Sequence, residues 1–170
     1  KYKQNNITMV DAAGEQIAVY TQGEGEYTVV LMSSMEAPGS TLNLRTITSY
    51  LGEEYRVVII DFPGTGFSPD SGAEKTVDHY ADIIKGVLDS LGIEDKIILM
   101  PHSFSGLYAF RYIEKYPDGI AGMICIDAAP PEVGPHLIQG KFKKWQGFAL
   151  LGIYVLYMLL LVLNETGVVA

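Results

Sequence analysis

Cysteine, histidine, tryptophan and positive charge are all scarce in this chain. Its 170 residues hold one Cys, one Trp, three His and 12 Lys or Arg against 20 Asp or Glu. A lone cysteine excludes an intramolecular disulfide, and the apolar run "GMICID" around Cys125 predicts a buried thiol in a reducing, cytoplasmic setting. The formal charge of -8 leaves no basic stripe to release counterions from a phosphate backbone, which argues against a nucleic-acid partner. Three scattered histidines lack the close spacing of metal-ligand pairs, so no metal is expected. Neither internal repeats nor low-complexity linkers occur. What is present, 48% hydrophobic and 19% charged residues, is enough for one buried core and too apolar for disorder. There is no Met before "KYKQNN" and no signal-like stretch after it, while "NETGVVA" follows directly on a long apolar segment, so both ends read as cut.

Apolar runs rich in β-branched residues occur at 16–21, 27–33, 55–61, 96–101 and 121–127. The later four are nearly continuous, as in parallel strands covered on both faces. The first pairs with "NNITMVDAAGEQ" across Ala13-Gly14 as a hairpin. Between the strands, "TVDHYADIIKGVLDSLG" places Val77, Ala81, Ile84, Val87, Leu88 and Leu91 on one helical face, capped by Thr76 and closed by Gly92. "SGLYAFRYIEKYP" repeats the pattern with Leu107, Phe110, Ile113 and Tyr116 inward, ending at Pro117. "TLNLRTITSYLG" is a weaker third helix. Strand and helix alternation after a hairpin predicts an α/β fold, a mostly parallel sheet with helices on both faces.

Ser103 in "MPHSFSGL" stands where strand gives way to helix. A serine on such a turn is held in a strained backbone conformation that lifts its hydroxyl clear of the sheet, and it needs small neighbours two residues away on each side. Those neighbours are Pro101 and Ser105, with Gly106 next, a variant of Gly-x-Ser-x-Gly. With "GEGEYTVVLMS", the block "DFPGTGFS" (61–68) and "ICIDAAPPE", these motifs resemble the N-terminal part of a serine-nucleophile α/β-hydrolase of bacterial type, over about Asn5 to Pro131. The resemblance implies Ser103 as nucleophile and the Phe104 backbone N–H as one oxyanion donor. Met35 N–H is the second donor it points to, although Ser33-Ser34 stands where the family has His-Gly. It also implies no cofactor and a small hydrophobic ester or acyl substrate. Relatives that cleave haloalkanes or epoxides use Asp at the elbow, whereas acyl transfer and carbon–carbon hydrolysis share this machinery. The competing reading is a non-catalytic binding protein on the same fold, with Ser103 an ordinary elbow serine.

Other residues read less sharply. Gly64 and Gly66 follow a strand but lack the third glycine of a dinucleotide loop, so they shape a turn, and Asp61 organises it. His102 points away from the Ser103 hydroxyl, His79 reads as a solvated helix residue, and His136 lies in a turn-rich stretch. Asp127 ends the last strand, where some relatives place the triad acid and others a structural carboxylate. The fold's order is Ser, then acid, then His, and one strand-like run follows Ser103, so the base histidine is expected beyond Ala170. The charge-free stretch 148–163, about 24 Å as a helix, suits either the start of a helical cap or a membrane anchor. The division expected is a core over 1–135 and an apolar helical segment over 136–170.

Overall fold

The computed structural model of the chain describes residues 6–33 and 39–131, without the Arg45 side chain. Met35, His136, the apolar stretch 148–163 and the division at 135/136 lie outside the described residues. Strands β1 (Ile7–Ala12) and β2 (Glu15–Gln22) form the expected antiparallel hairpin. Ala13 and Gly14 both take positive φ, 53° and 79°, and two left-handed residues give a hairpin turn the twist of its strands. Next come β3 (Thr28–Met32), α1 (Ser40–Leu51), β4 (Arg56–Asp61), α2 (Val77–Ser90), β5 (Ile97–Pro101), α3 (Ser105–Lys115) and β6 (Ile120–Met123). The sheet order is β1-β2-β4-β3-β5-β6, with β4, β3, β5 and β6 parallel and β2 antiparallel to β4.

Strand periodicity divides the core in two. Ile17, Val19, Val30, Met32, Val58 and Ile60 face α2 and α3, whereas Tyr20, Val29, Leu31, Val57 and Ile59 gather with Leu44 of α1. Both faces of β3 and β4 are therefore buried, which is why their sequences are continuously apolar rather than alternating. The Thr76 hydroxyl accepts the His79 N–H and caps α2. At the other end Gly92, at φ 64°, lets its own N–H reach Asp89 O and the Ile93 N–H reach Leu88 O, closing the helix as expected.

Four expectations are corrected. The run 121–127 is a strand only over Ile120–Met123, with an irregular register against β5, and Ile126 then bridges to His102. Because β6 is the last strand of the described sheet, its face is not covered as β3 and β4 are, and Cys125 is exposed rather than buried. On α3 the buried face is Ser105, Tyr108, Ala109 and Tyr112 with Gly106 and Leu107, and half-buried Ile113 and Tyr116 pack against the core as expected, whereas half-buried Phe110 is not among the described residues of that core. The reason is that α3 packs against α2 as well as the sheet, which turns its small and tyrosine residues inward. His79 is half-buried, and its Nε2 lies 2.9 Å from Oε1 of buried Glu15. That carboxyl is held below its ordinary value by a hydrogen bond from Ser71 and then by His79.

Candidate active site

The C-terminal edge of the parallel strands carries two built loops. The first follows β4. Asp61, fully buried, accepts the Thr41 N–H on Oδ1 (2.9 Å) and the Phe67 N–H on Oδ2 (3.1 Å), so one carboxylate ties the start of α1 to the loop 62–68. Burial pushes its carboxyl above the ordinary value, against these hydrogen bonds. Gly66 is required here, because a Cβ would sit 2.1 Å from Asp61 Oδ2. Ser68 donates to the Asp61 carbonyl (2.5 Å) and accepts the Ala18 N–H (2.8 Å), fastening the loop to β2. Asp61, Gly66 and Ser68 of "DFPGTGFS" thus each have a structural task, as the loop-organising reading of Asp61 anticipates.

The second loop is the turn after β5. Ser103 takes φ 59°, a region that β-carbon sterics make costly for any residue but glycine. The chain around it compensates with main-chain bonds. Ser103 N–H donates to Ile126 O (3.2 Å), and Ser103 O accepts from Gly106 N–H (3.1 Å) and Ala129 N–H (2.8 Å). A side chain on Gly106 would meet Ala129 O at 2.4 Å, so Ala128 and Ala129 press directly on the first turn of α3. The half-buried Ser103 hydroxyl and the Phe104 N–H form no hydrogen bond among the described residues. Phe104 itself, at φ -62° and ψ -25°, is the cap of α3, so its N–H belongs to the unpaired donors of a helix start. Beneath the turn the Phe104 ring meets Tyr108 edge-on (5.8 Å between centroids), and Tyr108 stacks on Tyr80 (4.4 Å), giving the turn an aromatic floor.

Asp127 is brought beside this turn: it follows Ile126, whose carbonyl takes the Ser103 N–H, and it is exposed with φ 45°. Neither described histidine hydrogen-bonds Ser103; His79 is paired with Glu15 and lies away from the turn's partners. Ser33, the departure from His-Gly, is buried, and its N–H donates to Ser40 Oγ (2.9 Å). Among the described residues there is no group of three or more His, Cys, Asp or Glu placed to hold a metal.

The alpha/beta hydrolase fold profile matches residues 37–152. The chain belongs to that family. It is 30% identical over 146 residues to the uncharacterized protein YbdG of Bacillus subtilis, covering 85% of this chain and 45% of that protein. Among solved structures it is similar to the meta-cleavage product hydrolase of Pseudomonas fluorescens (27% identity, TM-score 0.67, 72% of this chain and 45% of that one). A thermophilic esterase from Thermogutta terrifontis is similar at 25% identity and TM-score 0.65, over 72% of this chain and 46% of that one. The chain thus spans less than half the length of each of these relatives. Its homologues include hydrolases of this fold, and among the described residues no helix is long and apolar enough to cross a membrane.

Sequence reasoning missed the Glu15–His79 pair and the tasks of Ser33, Ser40 and Ser68. A buried Glu at a hairpin corner carries no local signal, since its partner lies 64 residues away. The serines were visible only as small polar residues at strand ends.

Proposed function

We propose that the protein containing this chain hydrolyses a hydrophobic carboxylic ester through an acyl-Ser103 intermediate, without a cofactor. The observation that carries this reading is the left-handed Ser103 at the head of α3 with the Phe104 N–H beside it, unpaired among the described residues. Ser103 Oγ attacks the ester carbonyl as a base removes its proton. The carbonyl π electrons move to oxygen, and the Phe104 N–H stabilises that charge as it develops, without reorganising. Collapse expels the alcohol, which takes up the proton, and water then repeats the sequence to release the acid. Met35 N–H is the second oxyanion donor in this reading. Asp127 is its candidate acid, supported by strain in a non-glycine residue beside the nucleophile. The base is a histidine supplied from outside residues 6–131. The stretch 148–163 serves as cap lining the apolar substrate pocket; the family match runs into it, to residue 152, which favours cap over membrane anchor. Exposed, unpaired Cys125 suits the cytoplasm.

Carbon–carbon bond hydrolysis is the second reading, favoured by the likeness to a meta-cleavage product hydrolase. Fluorophosphonate labelling of the full-length gene product tests the shared nucleophile. Labelling that vanishes in Ser103→Ala supports it, and a folded protein that never labels sinks both. Turnover of p-nitrophenyl esters against a meta-cleavage product then separates the two.

A further inference from the structure

The turn contains a second serine that the Gly-x-Ser-x-Gly pattern does not ask for. Ser105 is fully buried. Its Oγ accepts the His102 N–H at 3.0 Å and lies 2.9 Å from His102 O and 3.0 Å from Met32 O. A hydroxyl has one proton to donate, so one of those carbonyls receives it, and the group is spent entirely on main chain. Residues 102 and 105 flank Ser103 and Phe104, and the hydroxyl closes a bracket around both. Met32 O, 3.0 Å from the same hydroxyl and already accepting the His102 N–H, sets the bracket against the end of β3, 73 residues earlier.

These bonds do not serve to rescue stranded backbone groups. The His102 N–H also donates to Met32 O at 2.9 Å, and His102 O also accepts the Ser105 N–H at 3.4 Å. Deleting the hydroxyl therefore strands no buried donor or acceptor, which is the circumstance in which a hydrogen bond contributes little to global stability. What it does restrict is the path of the chain through the one residue held at φ 59°. Such a conformation persists only when its surroundings over-determine it.

We infer that Ser105 is a positioning residue: its hydroxyl, accepting the His102 N–H, closes the 102–105 turn at the end of β3, fixing the directions of the Ser103 hydroxyl and the Phe104 N–H relative to each other. The inference rests on the acyl-Ser103 reading. Misplacing a reacting group by a fraction of an ångström lowers rate without weakening substrate binding, so the effect belongs in kcat.

The test compares Ser105→Ala, Ser105→Gly and Ser103→Ala with wild type in the full-length gene product. It reads thermal melting, kcat and KM on p-nitrophenyl butyrate, the fluorophosphonate labelling rate, and relative turnover of an ester and its thionoester. The last ratio reports hydrogen bonding to the developing oxyanion, which sulfur accepts poorly. Ser105→Ala should melt within a few degrees of wild type while kcat and labelling fall roughly tenfold, less than the ~10²–10³ of a deleted oxyanion donor. KM should hold, and the preference for the oxygen ester should shrink. Ser105→Gly should lose more, because glycine also loosens the backbone. Wild-type kcat and labelling in the folded variants would overturn the inference and leave the Ser103 reading standing. Failure of wild type to label overturns both. If the alanine variant does not fold, the glycine variant decides; failure of both assigns Ser105 to stability and overturns the positioning role.

Discussion

The loop after β4 and the turn after β5 leave the same edge of the sheet, and both need left-handed backbone. The first obtains it with glycine: Gly64 at φ 77° and Gly66 at φ 53°. The second obtains it with Ser103 at φ 59°. In the loop, side chains of Asp61 and Ser68 bind main chain, and nothing would be gained by a side chain at the strained positions. In the turn, the strained residue keeps a side chain that bonds to nothing described, while its neighbours supply the restraint. Glycine adopts this backbone without strain, whereas Ser103 bears the cost of its Cβ, as Ala13, Lys96 and Asp127 also do; the proposed function gives the Ser103 hydroxyl a use that Ala13 and Lys96 lack.

The largest effect expected from breaking this contrast is on activity. Ser103→Ala should lower ester turnover roughly 10³-fold or more with an unchanged melting curve; retained turnover would move the nucleophile elsewhere. Next is Gly66→Ala, whose Cβ would sit 2.1 Å from Asp61 Oδ2. With the left-handed penalty added, it should cost about 3 kcal/mol or more in urea unfolding. Asp61→Asn comes third. An amide offers one acceptor to two N–H donors and sets its own NH₂ against the other, for about 1–3 kcal/mol.

The same variant sharpens the comparison through pH. Because burial raises the Asp61 carboxyl above its ordinary value, the folded state holds its proton where the unfolded chain has released it. Asp61 therefore makes stability fall as pH rises from the ordinary carboxylate value through the raised folded one, and Asp61→Asn should flatten that slope. Glu15, held low by Ser71 and His79, acts oppositely: its contribution is present above the ordinary value and is lost as pH falls through the lowered one. The smallest effect expected on stability is that of Ser103→Gly. It should gain about 0.5–1 kcal/mol by relieving the left-handed serine while abolishing labelling, so the strain and the chemistry would part company in one measurement.

The central strands, the hairpin and α2 were legible because each is specified locally: apolar runs of strand length, Ala13-Gly14, a threonine cap and a glycine stop. The elbow was legible for the same reason, as a serine between a strand end and a helix start among small residues. The last strand was overdrawn. An apolar run fixes that a segment is able to pair, and its pairing stops where the chain turns to wrap the elbow, as Ile126 and Ala129 do. Phe110 was misplaced because helical periodicity locates an apolar face without saying what packs against it, and α3 meets both α2 and the sheet.

The sequence by itself determined the fold class, the order of its elements and the place of Ser103, because turn chemistry and hydrophobic period act over a few residues. Only the tertiary structure decided which groups Asp61, Ser105 and Glu15 bind and that Cys125 is exposed. Their partners or their exposure depend on chain 20 to 73 residues away or on where the sheet's cover ends, and distance along the chain carries no record of distance in space.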